Sequence, residues 1–431
     1  MEHFKEHSLP RPYTPAPDPD ETPQKSQLQL HPNGHKLPRF VVWIAAVLAA
    51  SIIGGAIYLL YCAATGTVPG TNTKVDGTTG KTVLTPTADE LKHSYGIAAG
   101  GSLGDLSDKD LDQRMADIAA TGAKWVRFDF NWSLIQPDSA SQSNWGSYDK
   151  LVNAAQKHGL YILGILDFTP KWARADVCSD SDKCYPADNQ KFADFAKTVA
   201  SRYKDHGLHY WEVWNEPNNP QFWQPAADPA GYAQLLQAAA KGLRAVDKDA
   251  YIITAGLSPQ ETNGTSYSPI DFLTALYKDG AKGSFDAVAD HPYTFPLSPK
   301  TSVFQAWNQM ADPKNSLRQV MLANGDQDKK IWITEYGSPT GGPGPNSTID
   351  QPNLDQHPYK VDEALQAKLL SDAVDLYKSY SWVGPFMYYS YQDAGTTQDT
   401  NENFFGLVRA DGSKKPAYQV FHDAATGSAV K

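Results

Sequence analysis

The chain has 431 residues, of which 41% are hydrophobic, 20% charged and 11% aromatic, and this excludes a wholly disordered chain and a polytopic membrane protein. A net charge of −10 argues against wholesale attraction to nucleic acid or anionic lipid, so no nucleic-acid partner is expected. Eleven Trp and 22 Tyr are many for this length; most are expected in a core, with a few left to offer flat faces to a ligand.

Residues 1–39 hold five basic and five acidic residues and eight of the 30 prolines, which reads as a disordered Pro-rich arm. No charge follows from Phe40 to Thr73, and residues 40–64 are almost purely apolar, long enough to cross a bilayer as one helix. Trp43, Tyr58 and Tyr61 lie near its ends, where amphipathic rings favour the interface. A cleaved signal peptide would have a shorter apolar core nearer the first residue; Ala63, Ala64 and Gly66 leave a cleavage site open, but the length favours an uncleaved anchor. Lys36 and Arg39 precede the span and Lys74 is the first charge after it. The arm is therefore expected in the cytoplasm and the rest outside, on a single-pass protein of the cell membrane. Residues 65–88 are Thr/Gly-rich and read as a flexible linker.

From residue 89 to 431 the chain alternates. Short runs rich in β-branched and aromatic residues (95–99, 125–130, 161–167, 209–214, 251–255, 287–291, 331–335 and 385–391) are followed by segments with helical spacing. The helical segments are 107–121, 148–158, 189–206, 230–246, 269–277, 301–323, 364–380 and 416–425. Eight such units without a dinucleotide fingerprint predict an α/β fold, a single (β/α)8 TIM barrel preceded by one transmembrane helix. Cys178 and Cys184, six residues apart in a polar loop, read as a disulfide on the exported side. Zinc would need two more such ligands nearby, and neither a metal nor a cofactor is expected.

Catalytic groups of a barrel sit at the C-terminal ends of its strands. The fourth run ends Trp211-Glu212-Val213-Trp214-Asn215-Glu216-Pro217, and alternation would place Glu212, Trp214 and Glu216 on one side. The seventh ends Ile333-Thr334-Glu335-Tyr336-Gly337. Two carboxyls facing each other across the mouth are what glycosidic cleavage needs, since one protonates the leaving oxygen and the other attacks or activates water. The WNEPN and ITEYG strings resemble the retaining glycoside hydrolases of clan A, nearest to families 39 and 5, over about residues 90–425. That resemblance implies Glu216 as acid/base and Glu335 as nucleophile, with Asn215 on the sugar 2-hydroxyl, Arg127 steadying the nucleophile, and His291 and Tyr293 beside both. A nucleophile must stay ionised, and a neighbouring arginine serves that by lowering its pKa.

Other residues are more open. Trp132, Trp172, Trp223 and Trp307 lie near the upper loops and either stack on sugar or pack; Trp172 is the one assigned to substrate. Asp167 and Asp393 either contact hydroxyls or cap loops. Strand eight ends in Tyr388-Tyr389 where many clan members carry Trp, and no segment remains for the β-sandwich of family 39 xylosidases. The expected partner is a polysaccharide or oligosaccharide of the cell envelope or surroundings, with no obligate protein partner evident. The competing readings are a catalytically inactive carbohydrate-binding surface protein, or a transglycosylase using the same residues.

Overall fold

The computed structural model describes residues 73–75, 82–354 and 357–428. Eight parallel strands close a barrel: β1 Tyr95–Ala98, β2 Trp125–Asn131, β3 Tyr161–Asp167, β4 Tyr210–Val213, β5 Tyr251–Leu257, β6 Ala287–Asp290, β7 Lys330–Ile333 and β8 Val383–Tyr389. They are hydrogen-bonded in chain order, and β8 returns to β1 through the register Phe386↔Tyr95. All eight expected strands are present, within a few residues at each end.

The helices form the outer layer: α1 Asp108–Ala120, α2 Gly146–Lys157, α3 Asn189–Tyr203, α4 Pro229–Val246, α5 Pro269–Lys278, α6 Ala306–Ala311, α7 Leu317–Ala323, α8 Glu363–Ser379 and α9 Pro416–Thr426. Local chemistry sets their starts. Ser107 accepts from the Asp110 amide, Asp188 from that of Gln190 and Asp362 from that of Leu365, satisfying donors that a first turn leaves free. The single helix expected over 301–323 is two. Asp312 is extended (ψ 134) ahead of Pro313, whose ring disfavours a helical predecessor, and Ser316 caps a fresh start.

Within the expected linker, two short segments pair. Thr73–Val75 pairs antiparallel with Thr82–Leu84, β-branched runs suited to a short ribbon. Leu84 and Leu91 then pack under the barrel, and the Tyr161 hydroxyl donates to Glu90 at 3.1 Å. The arm, the 40–64 span and most of the linker lie outside the described residues; no helix among the described residues is long and apolar enough to cross a membrane.

Inward-facing side chains stack in layers. Inward positions near the starts of β2, β3, β4, β5 and β7 hold Trp125, Tyr161, Tyr210, Tyr251 and Trp332, with centroids of neighbouring rings 5.0–6.2 Å apart, and together they make an aromatic floor. Above them Arg127 and Glu212 meet. The mouth opens above that layer.

Candidate active site

Glu212 is fully buried on β4 and accepts a two-pronged contact from Arg127 of β2, at 2.7 Å (Nε) and 3.0 Å (Nη2). The Gly256 amide adds a third bond at 2.8 Å. Arg127 extends the network upward, to Glu335 Oε1 at 2.5 Å and to Asn215 Oδ1 at 2.9 Å. Burial works against the Arg127 charge, but Glu212 and Glu335 outweigh it and hold the guanidinium fully protonated.

Beyond Val213 the chain leaves strand geometry. Trp214 and Glu216 have φ of 72° and 47°, and Phe168, just past β3, has 27°. Left-handed backbone at non-glycine residues is costly, and all three stand at the barrel mouth. These turns undo the expected alternation. Glu212 faces inward, whereas Trp214 packs edge-on against Phe168, 5.7 Å between centroids, and its indole donates to Phe222 O. Asn218 holds the turn, donating to Ser258 O at 2.8 Å and Tyr267 O at 2.9 Å.

Glu216 is thereby aimed at His291 on the β6 end, 2.8 Å from Oε1 to Nδ1. The other ring nitrogen lies 3.0 Å from Thr334 Oγ1. A methyl at Gly256 would fall 2.0 Å from His291 Nε2, so the ring fits only because position 256 has no side chain. Glu335 receives the Tyr293 hydroxyl on Oε2 at 2.6 Å. Burial and the Glu335 charge hold that phenol well above its ordinary range, which keeps it a donor. For Glu335 itself burial opposes ionisation, yet His291, Arg127 and the two hydrogen bonds prevail, and its pKa lies below the ordinary carboxylate value. One oxygen each of Glu216 and Glu335 and the His291 ring nitrogen lie within 4.8 Å of one another, a spacing that also suits a cation.

Arg127, Asn215, Glu216, Tyr293 and Glu335 line one cavity of about 440 Å³, with His291 buried behind Glu216. Trp172 does not line it: its indole donates to Gln136 O at 2.8 Å and its ring stands edge-on to Trp132. Trp132, Trp223 and Trp307 are likewise buried in packing. Asp393 caps a loop against buried Lys415 at 2.7 Å, whereas Asp167 does reach the cavity. Sequence reasoning missed Asp129, Phe168, Phe222, Phe295, Glu402 and Phe405 in the lining. Asp129 had a findable signal, since it is two residues beyond Arg127 on the same face of β2. Cys178 and Cys184 are bonded, as expected.

A closed parallel barrel presenting paired glutamates beyond its fourth and seventh strands is the architecture of clan A glycoside hydrolases. The family model described as Cellulase (glycosyl hydrolase family 5) matches residues 92–366, and the chain belongs to that family. It is also similar to a β-xylosidase of Geobacillus stearothermophilus, 24% identical over 255 residues, covering 55% of this chain and 46% of that protein. A β-xylosidase of Caldicellulosiruptor saccharolyticus is 26% identical over 311 residues, 69% of this chain and 59% of that one. The chain thus spans about half the length of the curated relatives it matches. Among solved structures, a family 39 glycoside hydrolase from Bacteroides cellulosilyticus superposes with a TM-score of 0.58 at 20% identity, over 82% of this chain and 69% of the other.

Proposed function

We propose that this chain is a retaining glycosidase in which Glu335 is the nucleophile and Glu216 the acid/base. One observation carries the reading: Glu335 is kept ionised by Arg127 at 2.5 Å and Tyr293 at 2.6 Å, with a Glu216 oxygen within 4.8 Å. That separation supports the short spacing of double displacement (about 5–5.5 Å) over the 6.5–9.5 Å or so that a water between the carboxyls would require. In the first step Glu335 attacks the anomeric carbon while Glu216 gives its proton to the departing oxygen. In the second, Glu216 takes a proton from water, and that water releases the sugar from Glu335. Arg127 and Tyr293 bind the carboxylate, and His291 orients Glu216.

The two curated relatives are named β-xylosidases, which supports a β-linked glycoside as substrate. Read with the apolar 40–64 span, the barrel would work outside the membrane on envelope or extracellular polysaccharide. The test is the purified full-length chain against a panel of such polysaccharides, with released sugars identified by mass and their anomeric configuration followed by NMR. Release with retained configuration, abolished in both Glu335→Gln and Glu216→Gln, is the expected result. Inverted configuration, or equal release by the variants, refutes the assignment.

A further inference from the structure

Glu402 accepts the Tyr389 hydroxyl at 3.3 Å and is open to solvent. Two other cavity carboxyls, Asp129 and Asp167, have no part in the steps above. They project from β2 and β3, neighbouring strands in the register Asn131↔Asp167, so both stand on one rim. Asp167 is fully buried, and neither of its carboxyl oxygens has a hydrogen-bond partner. Glu212 is equally buried but accepts from Arg127, Gly256 and Thr334. A buried carboxyl without donors destabilises a fold, so nothing in the packing accounts for Asp167.

The surroundings leave the pair unneutralised. Among the described residues the cations acting on it are Arg127 and Lys183. Arg127 is engaged by Glu212 and Glu335; the Lys183 ammonium sits 3.1 Å from Asp182 and 3.6 Å over the Phe168 ring. Burial, reinforced by the Asp129 charge, holds Asp167 well above the ordinary carboxylate range, and burial pushes Asp129 up to about 6. Acceptors left unpaired beside a ligand cavity are ready for donors. The cavity is otherwise rimmed by Glu216, Glu335 and Glu402, and the cation in its lining, Arg127, is already paired with Glu212 and Glu335, so the lining as a whole disfavours anions.

We propose that Asp129 and Asp167 form a sugar-selecting wall that takes two hydroxyl groups of an uncharged sugar unit and shuts out units bearing carboxylate, sulfate or phosphate. Asp129 also lines a second cavity of about 290 Å³, which shares Gly100 and Gly101 with the first, so the wall stands where a longer chain would pass from one to the other. The proposal rests on the glycosidase reading of this cavity, and the experiment separates the two.

Binding is measured by calorimetry on full-length Glu335→Gln protein, with neutral xylo-, gluco-, manno- and galacto-oligosaccharides set against oligoglucuronate and a sulfated oligosaccharide of equal length. The measurement is repeated with Asp167→Asn or Asp129→Asn added, and hydrolysis by otherwise wild-type protein is followed in parallel. We expect a neutral member to bind at least about tenfold more tightly than either anionic one, and each Asn to weaken it about 3- to 10-fold, the size of an ordinary hydrogen bond. Turnover should show the loss in KM with kcat little changed, and Asp167→Asn should melt no lower than its parent. Equal or tighter binding of the anionic sugars, unchanged neutral affinity in both variants, or binding of no neutral member overturns the proposal. If Asp167→Asn does not fold, Asp129, which is only partly buried, carries the test. Hydrolysis that ignores both aspartates removes the wall and keeps the glycosidase; aspartate-dependent binding without hydrolysis does the reverse.

Discussion

Arg127 joins two carboxylates of different standing, and substitution can take their roles apart. Its side chain is 3% exposed; Glu212 is 0% and Glu335 15% exposed. Arg127→Met keeps the volume but leaves Glu212 buried without a cation, which should cost about 3–5 kcal/mol. At about 2 °C per kcal/mol for a domain of this size, the melting temperature should fall by roughly 6–10 °C. Adding Glu212→Leu removes the stranded charge, and well-packed apolar replacements of buried ion pairs are often neutral. The double variant should therefore regain most of the lost stability. Activity should not return, because Glu335 still lacks its guanidinium partner. Calorimetric melting and turnover on the sugar found in the polysaccharide panel check both halves. A single variant that loses less than about 1 kcal/mol, or a double variant no more stable than the single, would refute the claim that the Glu212 charge is the structural counterpart of Arg127.

Glu216→Gln should lower kcat by about 10²–10⁴-fold, measured on a substrate whose leaving group needs protonation. Tyr293→Phe removes a bond that favours ionised Glu335, so the acid limb of kcat/KM should move to higher pH; an unmoved limb contradicts that role. Because the Glu335 pKa is depressed on folding, its stabilisation is complete above the unfolded value of about 4.3 and is lost as pH falls through the folded one. Melting temperature should accordingly drop below about pH 4 in the parent and more gently in Glu335→Gln; parallel curves would count against it. Gly256→Ala should displace His291 and cut activity at least about tenfold while most secondary structure is kept, as circular dichroism can follow. Replacing Cys178 and Cys184 by Ser should cost about 2 kcal/mol, read from denaturant unfolding.

Barrel, strand order and both glutamates were legible because their signals are periodic and local. β-Branched runs mark strands, and Pro217 and Gly337 punctuate their ends. Glu216 and Glu335 were found by asking what stands at strand ends. The two-helix break at Pro313 was missed although the proline was visible, since the apolar spacing on either side fits one helix. Trp172 misled because a tryptophan near the mouth looks the same in sequence whether its indole meets sugar or the Gln136 carbonyl. Phe222, Phe295, Glu402 and Phe405 come from long connections whose folding depends on distant partners. The turn at Trp214 and Glu216 contradicts the alternation rule because backbone strain leaves no mark in residue type.

The aromatic floor and the cavity lining share no residue. What fills the barrel floor and what lines the cavity are therefore different side chains, even where one strand carries both, as β2 does with Trp125 and Asp129. A library that randomises Phe168, Phe222, Phe295 and Phe405 together can be searched deeply without touching the Trp125–Trp332 stack. A lineage drifting toward a new glycan has the same freedom.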